Sequence, residues 1–113
     1  MTITGNAQEC IDACTKCLQE CENCATQCCA EGGPSMAECI RLCMDCADVC
    51  RVCLSWLSRE SDRAPRLCGL CAEVCELCVE ECDNFDDEAC RRCAEACRRC
   101  CEACRSMAGA PAA

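Results

Sequence analysis

The chain has 113 residues, 23 of them cysteine, with no histidine or tyrosine, and a formal charge of −9 from 11 basic and 20 acidic residues. That length suits one domain over residues 1–113 rather than two, and that charge excludes nucleic acid and an anionic membrane surface as partners, because both need a basic footprint. No apolar run approaches the ~20 residues that cross a bilayer. The opening MTITGNAQEC lacks the basic and apolar regions of a secretory signal, so the expected location is the cytoplasm.

The first element carries Cys10, Cys14, Cys17, Cys21, Cys24 and Cys28, at steps of 4, 3, 4, 3 and 4. Asn6 with Glu9 reads as its N-cap and capping box, and the predicted helix covers about 7–29. EGGPS (31–35) is a turn, and Ser35 with Glu38 reads as the cap of a second helix over about 36–57. That helix carries Cys39, Cys43, Cys46, Cys50 and Cys53. RESDRAP (59–65) turns the chain again, and Pro65 suits the first turn of a third helix over about 65–82, with Cys68, Cys71, Cys75, Cys78 and Cys82. DNFDD (83–87) leads into a fourth helix over about 87–107, with Cys90, Cys93, Cys97, Cys100 and Cys104. Acids at Asp86, Asp87 and Glu88 suit its N-terminus.

Alternating steps of 3 and 4 form the inward seam of a helical bundle. Twenty-one cysteines therefore lie on four inward stripes, and Cys29 and Cys101 fall out of phase. Short connections make neighbours antiparallel, so the expected fold is all-α, an up-down-up-down four-helix bundle with a cysteine-lined core. The second and third helices carry apolar flanks, among them Ile40, Leu42, Val49, Leu70 and Leu77, which points to a homo-oligomer. The fourth interleaves Arg91, Arg92, Arg98 and Arg99 with Glu95 and Glu102, the pattern of a solvated face.

Buried cysteine often acts as a small hydrophobe. Twenty-one of them around one axis would leave the under-filled space that close-packed interiors avoid. A disulfide scaffold fits poorly, because it would be loop-rich rather than regularly helical. Thiolates select Cu(I), zinc and iron–sulfur clusters. A zinc with four thiolates carries a double negative charge, whereas Cu(I) at one ion per thiolate leaves a core without cations neutral. Cysteines one turn apart, such as Cys10/Cys14, Cys17/Cys21 and Cys71/Cys75, supply two-thiolate sites. A zinc or mixed soft-metal buffer and a thiol redox reservoir remain open alternatives, separated by metal count. The stripes carry no acid–base group, so no enzyme is expected.

These stripes, with cysteine at about a fifth of the chain, resemble the bacterial cysteine-rich copper-storage proteins, in particular their cytosolic type, from Cys10 to Cys104. The resemblance implies a homo-tetrameric bundle that stores many Cu(I) ions along its axis for sequestration and later supply. It implies entry at one open end, with a copper chaperone as a possible partner. Family members carry histidines near that end and this chain has none. The end holding Cys28, Cys29, Met36, Cys39, Cys82 and Cys90 is rich in acids, whereas the other gathers Trp56, Leu57, Leu67, Arg59, Arg66 and Arg105. The mouth is therefore expected at the Met36 end, with Met36 and Cys29 as entry ligands and Cys101 as a further ligand beside Cys97. Met44 and Met107 read as packing or tail residues.

Overall fold

A computed structural model of the chain describes residues 5–109. It contains four helices, α1 (Gly5–Glu31), α2 (Ala37–Ser58), α3 (Ala64–Cys82) and α4 (Glu88–Ala108), with a single 3-10 turn, Pro34–Met36, ahead of α2. Among the described residues there is no strand. Each helix packs on its two neighbours in the order α1–α2–α3–α4–α1, giving a bundle of 46 × 19 × 18 Å. The expected four-helix fold is the observed one.

The helix ends follow local chemistry, in places not the expected one. Asp87 caps α4, its carboxylate accepting from the Cys90 backbone N–H at 2.7 Å. Pro65 stands in the first turn of α3, as the sequence reading has it. Ser35 does not cap α2. Pro34 closes the 3-10 turn first, and Met36, without a capping side chain, precedes the helix. Asn6 is likewise inside α1 rather than at its cap, because the helix already includes Gly5. At the end of α2, Glu60 turns left-handed with φ of 54°, and Ser61 donates back to the Trp56 carbonyl at 2.9 Å. That is a Schellman-type stop.

The arginines of α4 lie on a solvated face. Arg91 meets Asp86, Arg98 meets Asp83 and Arg99 meets Glu95 at 2.7–3.1 Å, while Arg105 meets Glu76 across to α3. Exposed pairs of this kind contribute at most about 1 kcal/mol each. Cohesion therefore comes from the interior, and the interior is sulfur.

Candidate metal centre

All twenty-one stripe cysteines are at most 3% exposed, and all are free thiols. Around them sit small residues at the helix seams, Ala25, Ala47, Ala72 and Ala94, which let the helices close on the axis. Glu20 is the one buried charged side chain among the described residues, and it pairs with Lys16 and Arg92. No cation faces the thiols from within.

The sulfurs form one continuous network. Within a helix, i, i+4 pairs such as Cys17/Cys21, Cys24/Cys28, Cys71/Cys75 and Cys100/Cys104 lie 3.8–4.0 Å apart. The shortest approaches run between helices. Cys10 and Cys104 are 3.5 Å apart, and Cys17 stands 3.6 Å from both Cys46 and Cys97. Cys46 is 3.6 Å from Cys75, and Cys93 is 3.7 Å from both Cys21 and Cys43. Four-thiol cages result, with all sulfurs within 4.8 Å: Cys14/Cys71/Cys100/Cys104, Cys17/Cys50/Cys75/Cys100, Cys17/Cys21/Cys46/Cys97, Cys21/Cys78/Cys93/Cys97 and Cys24/Cys39/Cys82/Cys90. The cysteine spacing gives the ladders along each helix. The cages across helices depend on how far each helix is rotated about its own axis, which spacing alone does not fix.

Protons are distributed unevenly in this network. Burial pushes the Cys28 thiol up to about 12, and burial also raises Cys90. Hydrogen bonds with Cys17 raise Cys21 and Cys97, and a bond from the same Cys17 pulls Cys46 down. A bond with Cys39 pulls Cys24 down to about 4. Donor thiols hold their protons and acceptor thiols release theirs more readily.

The two ends differ. At the end where α1 stops and α2 starts, Met36 is buried at 7% exposure and folds over the last turn of α1. A Cβ on Gly32 would lie 2.1 Å from Met36 Cγ and 2.8 Å from the Cys28 carbonyl oxygen. Only glycine leaves room for the thioether there. At the opposite end Leu57 and Ala64 are 2% and 3% exposed, and Trp56, Leu67 and Met107 pack beside them on the last thiols.

Three sequence expectations fall outside the tube. Cys29 is exposed on the outside of α1. Cys101 is buried, yet it lines the seam between α3 and α4 with Glu76, Val79, Arg98, Glu102 and Arg105. Met44, read as packing, is 53% exposed, whereas Met107 does pack on the core.

A four-helix bundle whose interior is a column of thiols, without internal cations, defines a thiolate container for soft metal ions. A copper storage protein family model matches residues 3–109, and the chain belongs to the copper storage protein family. It is similar to the Cu(I)-bound copper storage protein BsCsp3, at 39% identity over 92% of this chain and 99% of that one, with a TM-score of 0.88. It is similar to the metal-free copper storage protein 3 of Bacillus subtilis, at 39% identity over 91% and 99%, with a TM-score of 0.85. It is also similar to a cytosolic copper storage protein of Streptomyces lividans carrying five coppers, at 36% identity over 94% of each chain, with a TM-score of 0.86. No curated protein matches the sequence. Among the described residues no helix is long and apolar enough to cross a membrane.

Proposed function

We propose that this protein stores many Cu(I) ions along its axis, close to one per stripe cysteine, and holds them for sequestration and later supply. One observation carries the reading: twenty-one buried free thiols, many 3.5–4.0 Å from a neighbour, surround an axis with no internal cation. Each Cu(I) that replaces a thiol proton leaves the core neutral, so filling adds no buried net charge. The role is storage rather than catalysis: among the described residues the one carboxylate that reaches a stripe thiol, Asp87 at Cys90, is also the cap of α4.

Anaerobic Cu(I) titration with native mass spectrometry tests this. Roughly twenty coppers per chain are expected, with about one proton released per copper. About five zincs and little copper would instead make the chain a zinc buffer. Reversible interhelical disulfides without metal uptake would make it a redox reservoir.

Copper enters at the Met36 end. There the thioether covers the last turn of α1, and Cys29, exposed one residue past Cys28, is a first docking thiol. Cys101 serves as an outlying ligand beside Cys97. Gly32→Ala should displace Met36 and, like Met36→Ala, slow copper uptake several-fold while leaving the final capacity unchanged. Stopped-flow uptake from a Cu(I) chelator checks this, and unchanged rates in both variants would remove the role of Met36.

The chain assembles as a homo-tetramer in the cytoplasm and receives its ions from a copper chaperone. The assembly face is the outside of α2 and α3, where Val52, Leu70 and Leu77 are 40–51% exposed. Apolar patches of this kind mark interaction surfaces. The double variant Leu70→Asp, Leu77→Asp should run as a smaller, still helical species by light scattering.

A further inference from the structure

We propose that the cage at the Met36 end, Cys24, Cys39, Cys82 and Cys90, is a site for one divalent closed-shell cation, Zn(II) foremost, which stays there until copper displaces it. The four sulfurs come one from each helix and lie within 4.8 Å of one another. Cys24 and Cys90 are 3.8 Å apart, as are Cys39 and Cys82. A tetrahedral zinc with bonds of ~2.3 Å has sulfur–sulfur edges of ~3.8 Å. Two of the six edges already have that length, and the other four lie within 4.8 Å.

Several cages in the tube have similar edges, and charge chooses among them. A zinc tetrathiolate carries a double negative charge. The mid-tube cage Cys17/Cys50/Cys75/Cys100 also takes one thiol from each helix, but its sulfurs lie far from any helix start. A net charge there is costly. At the Met36 end α2 and α4 begin. Cys39 is the third residue of α2 and Cys90 the third residue of α4, so both sulfurs sit at the positive ends of helix dipoles. Asp87 takes one N–H of α4, whereas α2 has no side-chain cap and its first N–H, on Ala37, bonds to the Pro34 carbonyl. At the other end the first stripe thiols come later. Cys68 is the fifth residue of α3, and Leu57 and Ala64 fill the space beyond.

The exchange is balanced without any redox step. Zn(II) binds the four cysteines as thiolates, and the protons they carried go to solvent. Four Cu(I) ions then form four neutral copper thiolates on the same sulfurs and release Zn(II). The zinc half stands on the cage alone. The displacement half rests on the copper-storage reading.

The test uses the reduced full-length chain without oxygen, titrated with Zn(II) alone and read by native mass spectrometry. One zinc per chain is expected, and Co(II) in its place should show sulfur-to-metal charge transfer with tetrahedral ligand-field bands. Cys39→Ser and Cys90→Ser, checked as helical by circular dichroism, should each lose the one-zinc species, while Cys104→Ser at the far end keeps it. No bound zinc, filling toward five zincs, or equal loss in Cys104→Ser would overturn the site. Cu(I) added to the zinc form should release zinc with the first coppers, and zinc retained through filling would overturn the displacement. Copper capacity of the zinc-free chain, read in parallel, tests storage separately. A chain that binds one zinc and little copper keeps the site and refutes the storage reading.

Discussion

The metal-free chain, kept reduced, is expected to lose stability as pH rises above the ordinary thiol value of 9.0, whereas the copper-filled chain should remain helical there. The sign follows from where the protons sit. Eleven thiols, Cys28, Cys90 and Cys97 among them, are pushed above the ordinary value of 9.0. A raised group supports the fold fully below its unfolded value and loses that support as pH rises toward the folded one. Deprotonating several such thiols together therefore draws on a stability that for an ordinary domain is only about 5–15 kcal/mol.

The thiols pulled down, such as Cys46 and Cys24, act the opposite way below the ordinary thiol value, adding stability as pH rises toward it. Above the ordinary thiol range the unfolded chain's cysteines are ionised as well, so their contribution no longer changes with pH. Copper removes the effect at its origin, because a Cu(I) thiolate has no proton to lose. Circular dichroism at rising pH, with and without copper, reads both arms. A metal-free chain still fully helical above pH 11 would show that the tube does not depend on its protons.

The bundle was legible because one regularity, cysteine at steps of 3 and 4, specifies both the helices and the face each turns inward. The same regularity placed all twenty-one thiols of the tube. It could not place Cys101. One residue past Cys100 lies about 100° around the helix, and whether that direction is water or the α3–α4 seam depends on the neighbouring helix, here on Val79 and Glu76. The helix starts were less legible for a local reason. Ser35 with Glu38 has the spacing of a capping box, but Pro34 fixes the backbone just before it, and the chain closes a 3-10 turn instead. The contrast between the two ends was partly visible in composition. The part played by Gly32 was not, because it follows from Met36 folding back over α1, a contact that is close in space and carries no spacing signal.

Leu57→Ala should lower the stability of the metal-free chain by about 2–4 kcal/mol and its melting temperature by roughly 10 °C or more. Leu57 is 2% exposed in a core whose other large side chains are few, since the axis is filled by short cysteines. Removing it leaves a cavity beneath Trp56 and Leu67 that no neighbouring thiol is long enough to fill. The copper-filled chain should recover most of the loss, because ligands that bind only the folded state add to its stability. A second readout separates packing from closure. If Leu57 seals the end opposite Met36, the variant should give up copper faster to a soluble chelator at a temperature where it is fully folded. Unchanged release alongside a lowered melting temperature would leave Leu57 a packing residue, and the far end of the tube would then be closed by Trp56 and Leu67 without it.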